Sequence, residues 1–265
     1  MIMKIGFIGT GNMGGALASA VSKSGGEVYL YDKDAEKANA LARAISANSV
    51  CAETLISECD FIFIGVKPQF LAALSAEIKP LLDKKIGEFT LVSMAAGVSL
   101  KSLNELFGSV PTIRIMPNTP ASVGKGVILY CTDSVDASKE NTFKKFMAPC
   151  GTVDKLEERL IDAASAVSGC GPAFAYMFID ALADGAVECG LPRDKALDYA
   201  ASTLEGAAAL LKASGRHPAE LKDAVCSPAG STIEGVRALE EGSFRAACIN
   251  AVKASYERTK ELGQK

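Results

Sequence analysis

The feature that most constrains this chain is a glycine-rich segment that directly follows its first apolar run. In FIGTGNMG, residues 7–14, three glycines have the spacing G-x-G-x-x-G. The segment lies between a predicted strand and a predicted helix, which is the context in which this spacing binds a dinucleotide. The predicted cofactor residues of this glycine turn are Ile8, Gly9, Thr10, Gly11, Asn12, Met13 and Gly14.

Each glycine of the turn has a separate physical task. Gly9 permits the tight turn, and Gly11 lets a pyrophosphate approach the backbone. Gly14 lets the helix pack closely on the strand, while the N-terminus of that helix supplies amide donors and a positive dipole. The alternative interpretation is an ordinary tight turn between a strand and a helix.

The end of the next predicted strand, YLYDKD, carries two residues that indicate different cofactors. Asp32 follows the glycine turn at close to the spacing expected for an acid that binds the adenosine ribose of NAD(H). Lys33 beside it is suited to a 2′-phosphate, which favours NADP(H). Either residue is alternatively a solvated loop charge. The sequence therefore predicts NADPH or NADH as the cofactor and leaves the preference open.

Strand-like and helix-like segments alternate through the first half of the chain. This alternation, with nearly continuous apolar strands, predicts a mostly parallel sheet covered on both faces. We therefore expect a Rossmann-type, doubly wound α/β domain over residues 1–157. The candidate strands are residues 4–9, 27–31, 60–66, 90–96, 112–116 and 126–131.

The pattern changes after residue 158, where only Ala-rich helical segments punctuated by Gly and Pro remain. We predict a second, all-α domain over residues 158–265. Its segment 173–189 is apolar around most of its circumference. We expect that helix to be buried on all sides, either as a central helix or at a subunit interface.

Composition argues against several classes of function. A net charge of −3 without a basic run does not suit a nucleic-acid or membrane surface. The eight Cys form no C-x-x-C pair, and with a single His they argue against a zinc site. The uncharged run 163–179 is shorter than a membrane span and is interrupted by GCGP. We expect a soluble protein of the reducing cytoplasm, in which each Cys acts as a small buried hydrophobe.

Three further loops follow predicted strands, at the edge of the sheet where such folds place ligands. They are GVKP (65–68), MAAG (94–97) and MPNTP (116–120). Their alternative interpretation is that of ordinary turns, for which Gly, Pro and Asn are typical. A cofactor cleft is favoured because all three lie on one predicted edge. Its residues would include Gly65, Val66, Lys67, Pro68, Ala95, Ala96, Gly97 and Asn118.

The sequence offers no strong catalytic base to accompany a hydride transfer. Its single His, His217 in GRHPAEL, has the position of a surface or helix-capping residue, and no Tyr-x-x-x-Lys pair occurs. A C=N bond suits such a site, since an imine carries its proton near neutral pH and hydride addition yields a stable amine. The enzyme then supplies positioning and one hydrogen-bond partner for the nitrogen.

Several motifs together resemble the Δ1-pyrroline-5-carboxylate reductase family. They are FIGTGNMG, AVSGCGPAFAYMFIDALADGAVECGLP and HPAELKDAVCSPAGSTIEGVRALEEG, with RIMPNTPA and VSMAAGV similar to the family's cofactor loops. The resemblance runs essentially end to end. It implies an NAD(P)H-dependent enzyme that makes L-proline from 1-pyrroline-5-carboxylate. It also implies a homodimer formed through the helical domain, assembled in some members into a larger ring such as a decamer.

The resemblance also implies roles for residues of the SPAGST loop (227–232). Thr232 has the position of the hydroxyl that meets the pyrroline nitrogen, which makes it the candidate catalytic residue. The amides of Gly230 and Ser231 would bind the substrate carboxylate, with Ser227 in the same loop. Glu158 has a position that borders the substrate in some members. Gly65–Pro68 and Ala95–Gly97 would line the nicotinamide side.

The residues of this loop support a similar interpretation without the resemblance. Ser231-Thr232-Ile233-Glu234 matches the capping box S-x-x-E, which predicts a helix start whose amides suit a carboxylate. The alternative is that Ser231 only caps the helix. Two positions depart from the family: Ala229 replaces an expected Gly, and Ala224 replaces an amide found in some relatives. Ala229 should be harmless unless its backbone requires a positive φ.

Two other classes of function remain as alternatives. A β-hydroxyacid dehydrogenase has the same two-part layout but needs a catalytic lysine on a helix facing the nicotinamide. The lysines of the helical half lie in no motif of that kind. A cofactor-binding regulator on a reductase scaffold would have lost the substrate loop, whereas Thr232 and its neighbours are present.

Overall fold

The apolar runs of the first half of the chain form one sheet in the computed structural model, which describes residues 3–263. The strands within these residues are β1 (Lys4–Ile8), β2 (Glu27–Tyr31), β3 (Asn48–Ser49), β4 (Phe61–Ile64), β5 (Thr90–Ser93), β6 (Thr112–Met116), β7 (Gly126–Asp133) and β8 (Gly151–Lys155). Their order is β3-β2-β1-β4-β5-β6-β7-β8. Only β6 and β7 pair antiparallel. The order up to β6 is that of a doubly wound sheet, so the predicted Rossmann-type fold is confirmed.

Helices cover both faces of this sheet, because successive side chains of a strand point to opposite sides. In β4, Phe61 and Phe63 pack with three of the helices, whereas Ile62 and Ile64 pack with the other three. The first set is α1 (Asn12–Val21), α2 (Ala35–Ile45) and α6 (Ala137–Met147); the second is α3 (Ala52–Glu58), α4 (Leu71–Leu82) and α5 (Leu100–Phe107).

The rest of the described chain is helical, as predicted. After β8 it contains α7 (Glu158–Ser168), α8 (Gly171–Glu188), α9 (Arg193–Ser214), α10 (Pro218–Ala224), α11 (Ser231–Glu241) and α12 (Phe244–Gly263). One compact unit comprises the chain up to Cys170 together with the segment from Ser255 onward, and a second comprises Gly171–Ala254. Helix α7 belongs to the first unit, where Ile161 packs against Leu100 and Leu129.

The sequence missed two strands and overextended three. Strand β3 has two exposed residues, and β8 (GTVDK) is mostly exposed at the sheet edge, so neither has an apolar run. The candidate strands 4–9, 60–66 and 90–96 end earlier in the structure, at Ile8, Ile64 and Ser93. Their excess residues are small or apolar residues of the loops at the carboxyl edge, where the cofactor cleft was predicted.

Helix α8 is not buried on all sides within this chain. Ala183 is its one fully buried residue, while Tyr176 and Met177 are 61% and 73% exposed. The expectation of a central helix is therefore wrong, and a subunit interface is the alternative that remains. By length and composition alone, the run Glu158–Glu188 passes for a membrane span, as core helices of soluble proteins also do.

The cysteines are less buried than expected. All eight are free thiols, and Cys59, Cys131 and Cys150 are buried. Cys51, Cys189 and Cys248 are exposed in this chain, so the expectation that each Cys is a small buried hydrophobe is wrong for them. A thiol is small and only weakly polar, so the sequence does not distinguish a core position from a surface one.

A hydrogen-bonded carboxylate links α6 to the sheet and makes stability depend on pH. Glu140 accepts hydrogen bonds from Lys155 Nζ (2.6 Å) and from the hydroxyl of buried Tyr130 (2.8 Å), and Lys144 Nζ lies 3.3 Å away. Chiefly through Lys155, these contacts lower the pKa of Glu140 from 4.5 to about 2. The resulting stabilisation is present above pH 4.5 and is lost as the pH falls toward 2.

We therefore expect Glu140→Gln to lower the free energy of unfolding at pH 7 by about 2 to 3 kcal/mol. The difference between the variant and the parent should shrink between pH 5 and pH 2.5, where the parent carboxylate becomes protonated. Urea unfolding across this pH range measures both effects. A difference that stays constant with pH would contradict the assignment to this carboxylate.

Candidate functional site

The glycine turn is held by close contacts between backbones. Gly9 has a φ of +97°, which favours glycine. A Cβ on Gly14 would overlap the carbonyl oxygen of Gly9, and a Cβ on Gly65 would lie 2.6 Å from that same oxygen. Three backbone segments therefore approach one another closely at Gly9, Gly14 and Gly65, where there is no room for side chains. The sequence assigned the task of Gly14 but gave no sign that Gly65 meets Gly9.

Gly11 differs from these glycines because it faces open space. No heavy atom of the described chain lies within 4 Å of the position that its Cβ would occupy. It is the N-cap of α1, and no described side chain caps that helix, so the first amides of α1 are available to a ligand. A site that is open above Gly11 and lined by helix amides fits the pyrophosphate of a dinucleotide.

A cavity of about 340 Å³ opens beside the turn, and we call it the cofactor cavity. It brings together eight of the predicted cofactor residues: Ile8, Gly9, Gly11, Asp32, Lys33, Gly65, Val66 and Lys67. It also includes four residues that the sequence analysis missed: Tyr31, Phe70, Ala73 and Leu74. The last three have the spacing i, i+3, i+4 at the start of α4, which was the available signal for a shared helix face.

Asp32 lies at the end of β2 and is bound to the glycine turn. Its Oδ2 accepts hydrogen bonds from the backbone N–H of Thr10 (2.7 Å) and from the Thr10 hydroxyl (2.9 Å), and its Oδ1 accepts from the N–H of Asp34 (3.0 Å). Partial burial raises the pKa of Asp32, but these hydrogen bonds outweigh it and the pKa lies below its ordinary value. The residue is therefore an ionised, firmly oriented carboxylate at neutral pH.

The other predicted cofactor residues do not line this cavity. Asn118 is buried, and its amide is engaged within the fold: Nδ2 donates to the carbonyl of Ser168 and Oδ1 accepts from the N–H of Val127. In the loop after β5, Ala95 is buried, Ala96 is exposed and Gly97 has a φ of +74°. Thr10, Asn12 and Pro68 are chain neighbours of lining residues, Gly14 lies against Gly9, and Met13 packs against the core. Their contacts with a cofactor stay predictions.

Glu158, which was predicted to border the substrate, forms hydrogen bonds with residues of the compact unit that contains the sheet. Its Oε1 accepts hydrogen bonds from the N–H of Leu100 (2.7 Å) and from Arg114 Nη1 (3.1 Å). Arg114 is buried, and its Nη2 donates to Asp162 Oδ1 (2.8 Å). The carboxylate thus ties α7 to the start of α5 and to β6, and its substrate contact stays a prediction.

The helix after the SPAGST loop begins differently from the prediction. Helix α11 begins at Ser231 and its N-cap is Gly230, so Ser231 is the first helical residue and the predicted capping box is wrong. A capping box needs the serine one position earlier, at the cap itself. No described side chain caps α11, and Ser231 and Thr232 are exposed. The amides of its first turn are therefore open to a ligand.

Two other residues shape the SPAGST loop. The N–H of Gly230 donates to the carbonyl of Ser227 (3.0 Å), and a Cβ on Gly230 would overlap the Ser227 hydroxyl. Ala229 has a φ of +54°, so the backbone does adopt the conformation for which a glycine was expected. An L-residue in this conformation costs about 1 kcal/mol relative to Gly.

Ala229→Gly should therefore raise the free energy of unfolding by up to about 1 kcal/mol, after the entropy gained by the unfolded chain is subtracted. Urea unfolding of the variant beside Ala224→Gly provides the comparison, because Ala224 is the last residue of α10 and gains nothing from glycine. A loss of stability at 229 equal to that at 224 would contradict the argument.

His217 is a capping residue, as predicted. It is the N-cap of α10, and its Nδ1 accepts a hydrogen bond from the N–H of Ala219 (3.2 Å). Pro218 follows as the first helical residue, a position that proline tolerates. The ring nitrogen that faces the helix is engaged with the backbone, which is the arrangement of a cap.

Comparison with known proteins places both halves of the chain. Residues 158–262 match the model for pyrroline-5-carboxylate reductase dimerisation, and residues 4–97 match the model for NADP oxidoreductase, coenzyme F420-dependent. Pyrroline-5-carboxylate reductase 3 of Danio rerio is 40% identical over 99% of this chain and 92% of its own. Pyrroline-5-carboxylate reductase of Escherichia coli K12 is 38% identical over the full length of both.

Solved structures show the same relationship. Pyrroline carboxylate reductase of Plasmodium falciparum, solved with NADP bound, is 32% identical, with 98% of this chain and 99% of that chain covered and a TM-score of 0.87. The enzyme from Streptococcus pyogenes is 30% identical with the same coverage and TM-score. The chain therefore belongs to the pyrroline-5-carboxylate reductase family.

Proposed function

We propose that this protein transfers a hydride from NADPH or NADH to C5 of 1-pyrroline-5-carboxylate and so produces L-proline. The observation that supports this proposal most directly is that no described side chain caps the start of α11. Its first turn therefore offers free amides together with the exposed hydroxyl of Thr232. Amides and a helix dipole suit the carboxylate of a small cyclic imino acid. Family membership identifies that acid as the pyrroline substrate.

The cofactor, when bound, supplies the hydride. The protein holds its pyrophosphate above Gly11 and the first amides of α1, and Asp32 and Lys33 lie where the ribose of its adenosine half is expected. The loops Gly65–Pro68 and Ala95–Gly97 line the nicotinamide side. Asn118 follows the next strand, where its amide is engaged with Ser168 and Val127. The apolar residues Val66 and Leu74 lie in the cofactor cavity beside these polar groups.

At the substrate, the amide of Ser231 binds the carboxylate. The N–H of Gly230, which donates to the Ser227 carbonyl, holds the loop in shape around it. The protonated C=N bond accepts the hydride at C5, its π electrons become a lone pair on nitrogen, and the amine forms without a base. The Thr232 hydroxyl donates a hydrogen bond to that lone pair as it develops. This bond is stronger in the transition state than in the ground state, which is the requirement for raising kcat.

The helical region is proposed to form a homodimer. Support comes from the dimerisation family model over residues 158–262 and from the exposed Tyr176 and Met177 of α8. A second copy of this chain, rather than lipid or nucleic acid, is the proposed partner of these residues, and the enzyme is proposed to act in the cytoplasm. Light scattering of the purified chain distinguishes a dimer from a larger ring such as a decamer.

The experiment that tests the function is a steady-state assay of 1-pyrroline-5-carboxylate reduction with NADPH and with NADH, followed at the nicotinamide absorbance. We expect turnover with the cyclic imine and none with 3-hydroxy acids and the oxidised cofactors. Oxidation of 3-hydroxy acids without imine reduction would instead indicate a β-hydroxyacid dehydrogenase. Cofactor binding without either reaction would indicate a regulator.

A further inference from the structure

The carboxylate at the end of β2 distinguishes the two cofactors that the family assignment leaves open. We propose that this protein prefers NADH to NADPH and that Asp32 is the residue responsible. The inference rests on the proposed function only in taking a nicotinamide dinucleotide as the ligand of the cofactor cavity. It concerns the adenosine end of that ligand and does not depend on which substrate is reduced.

Asp32 can accept a hydrogen bond but cannot tolerate an added anion. A carboxylate has about four acceptor positions, and Thr10 and Asp34 donate three hydrogen bonds to it. The remaining capacity suits a ribose hydroxyl, which donates. A 2′-phosphate has no such donor when ionised, and it brings roughly two negative charges toward a fixed negative charge.

The neighbouring lysine does not reverse this effect. Lys33 Nζ lies 3.9 Å from Glu77 Oε2, and its side chain is 75% exposed, so its charge is partly paired and largely solvated. Glu77 also accepts a hydrogen bond from the hydroxyl of Tyr31 (3.1 Å), which keeps this second carboxylate beside the cavity wall. The lysine that indicated NADP(H) in the sequence is thus directed toward Glu77.

The rest of the β2–α2 connection adds no phosphate site. Asp34 caps α2 by accepting a hydrogen bond from the N–H of Lys37, so the first turn of that helix already has an acidic cap. The segment Asp32–Lys37 contains three acidic and two basic residues and no arginine. An arginine is the residue that commonly accommodates the 2′-phosphate in this position.

Equilibrium binding tests the proposal without catalysis. Nicotinamide fluorescence gives Kd for NADH and NADPH, and competition with 5′-AMP and 2′,5′-ADP isolates the adenosine end. We expect NADH to bind about tenfold or more tightly than NADPH, and 5′-AMP to compete better than 2′,5′-ADP. Equal or tighter binding of the phosphorylated member of either pair by the parent protein would overturn the proposal.

Two variants locate the effect. Asp32→Asn keeps an acceptor for Thr10 and removes the charge, so Kd for NADPH should fall by about tenfold while Kd for NADH changes less. Lys33→Ala, the matched control, should change the NADPH to NADH ratio by less than about threefold. A collapse of NADPH binding in Lys33→Ala, with no gain in Asp32→Asn, would assign the site to the lysine and refute the proposal.

The parent protein alone decides the preference if Asp32→Asn fails to fold. Inactivity toward the pyrroline substrate, with NADH still bound more tightly, would refute the proposed function and leave this inference standing. Reduction of the imine, with NADPH bound more tightly than NADH, would support the proposed function and refute this inference.

Discussion

Replacing Thr232 with alanine is expected to lower kcat for 1-pyrroline-5-carboxylate by about 10- to 100-fold, with a much smaller change in Kd for NADPH or NADH. A hydrogen bond to a group that gains charge density is worth about 1.5 to 3 kcal/mol, which corresponds to this range of rates. The lone pair on the pyrroline nitrogen forms only as the hydride adds. The loss therefore falls on the chemical step more than on substrate binding.

The structure makes this a clean substitution. Thr232 is the second residue of α11 and is exposed, and no described hydrogen bond involves its hydroxyl, so alanine removes no internal contact of that group. Alanine is also the better helix former. Melting temperature should therefore stay within a few degrees of the parent, and a fall in kcat cannot be assigned to unfolding.

Two controls separate the hydroxyl from the helix start. Thr232→Ser keeps the hydroxyl and should stay within about threefold of the parent kcat, whereas Ser231→Ala keeps the backbone amide that is proposed to bind the carboxylate and should behave similarly. Equal losses of turnover and cofactor affinity in Thr232→Ala would contradict the catalytic role. They would indicate that the residue only supports the loop.

The glycine turn shows how far sequence reasoning reached. Its spacing predicted the strand, the turn and the helix, because each glycine has a task that the local backbone imposes. The contact of Gly65 with Gly9 was not predictable, since it joins loops that are distant in sequence. The hydrogen bonds from Thr10 to Asp32 are likewise long-range contacts. They changed the meaning of Asp32, since a carboxylate fixed by three donors discriminates among ligands in a way that a free loop charge does not.

The helical half shows a different limit. The pattern S-x-x-E located the start of α11 to within one residue. That one residue matters, because the N-cap is Gly230 and not Ser231, which leaves the start of the helix without a side-chain cap. The sequence predicted only that Ala229 would matter if its backbone had a positive φ. It did not predict that φ is positive, because alanine is not typical of left-handed backbone. The apolar circumference of α8 predicted burial on all sides, which this chain alone does not provide. A sequence does not say whether the same chain or another copy would cover such a helix.

The second large effect is expected at the glycine turn, where Gly11→Ala should raise Kd for NADPH and NADH by at least about tenfold while leaving the fold intact. Gly11 has a φ of −65° and a ψ of −171°, an extended conformation that alanine adopts readily. Its Cβ would meet no described atom within 4 Å, so the added methyl group would occupy only the space assigned to the pyrophosphate. The free energy of unfolding should change by less than about 1 kcal/mol, the usual effect of a poorer N-cap.

Gly14→Ala is the matched comparison, because the same added methyl group meets the opposite environment. Its Cβ would overlap the carbonyl oxygen of Gly9, so α1 or the turn must shift, and both stability and cofactor affinity should fall. The stability loss should be about 1 to 3 kcal/mol, the usual cost of overpacking. Urea unfolding and fluorescence titration of the two variants separate these outcomes. If Gly11→Ala bound both cofactors as tightly as the parent, the segment would be an ordinary strand–helix turn, and the pyrophosphate would have to bind elsewhere on the sheet edge.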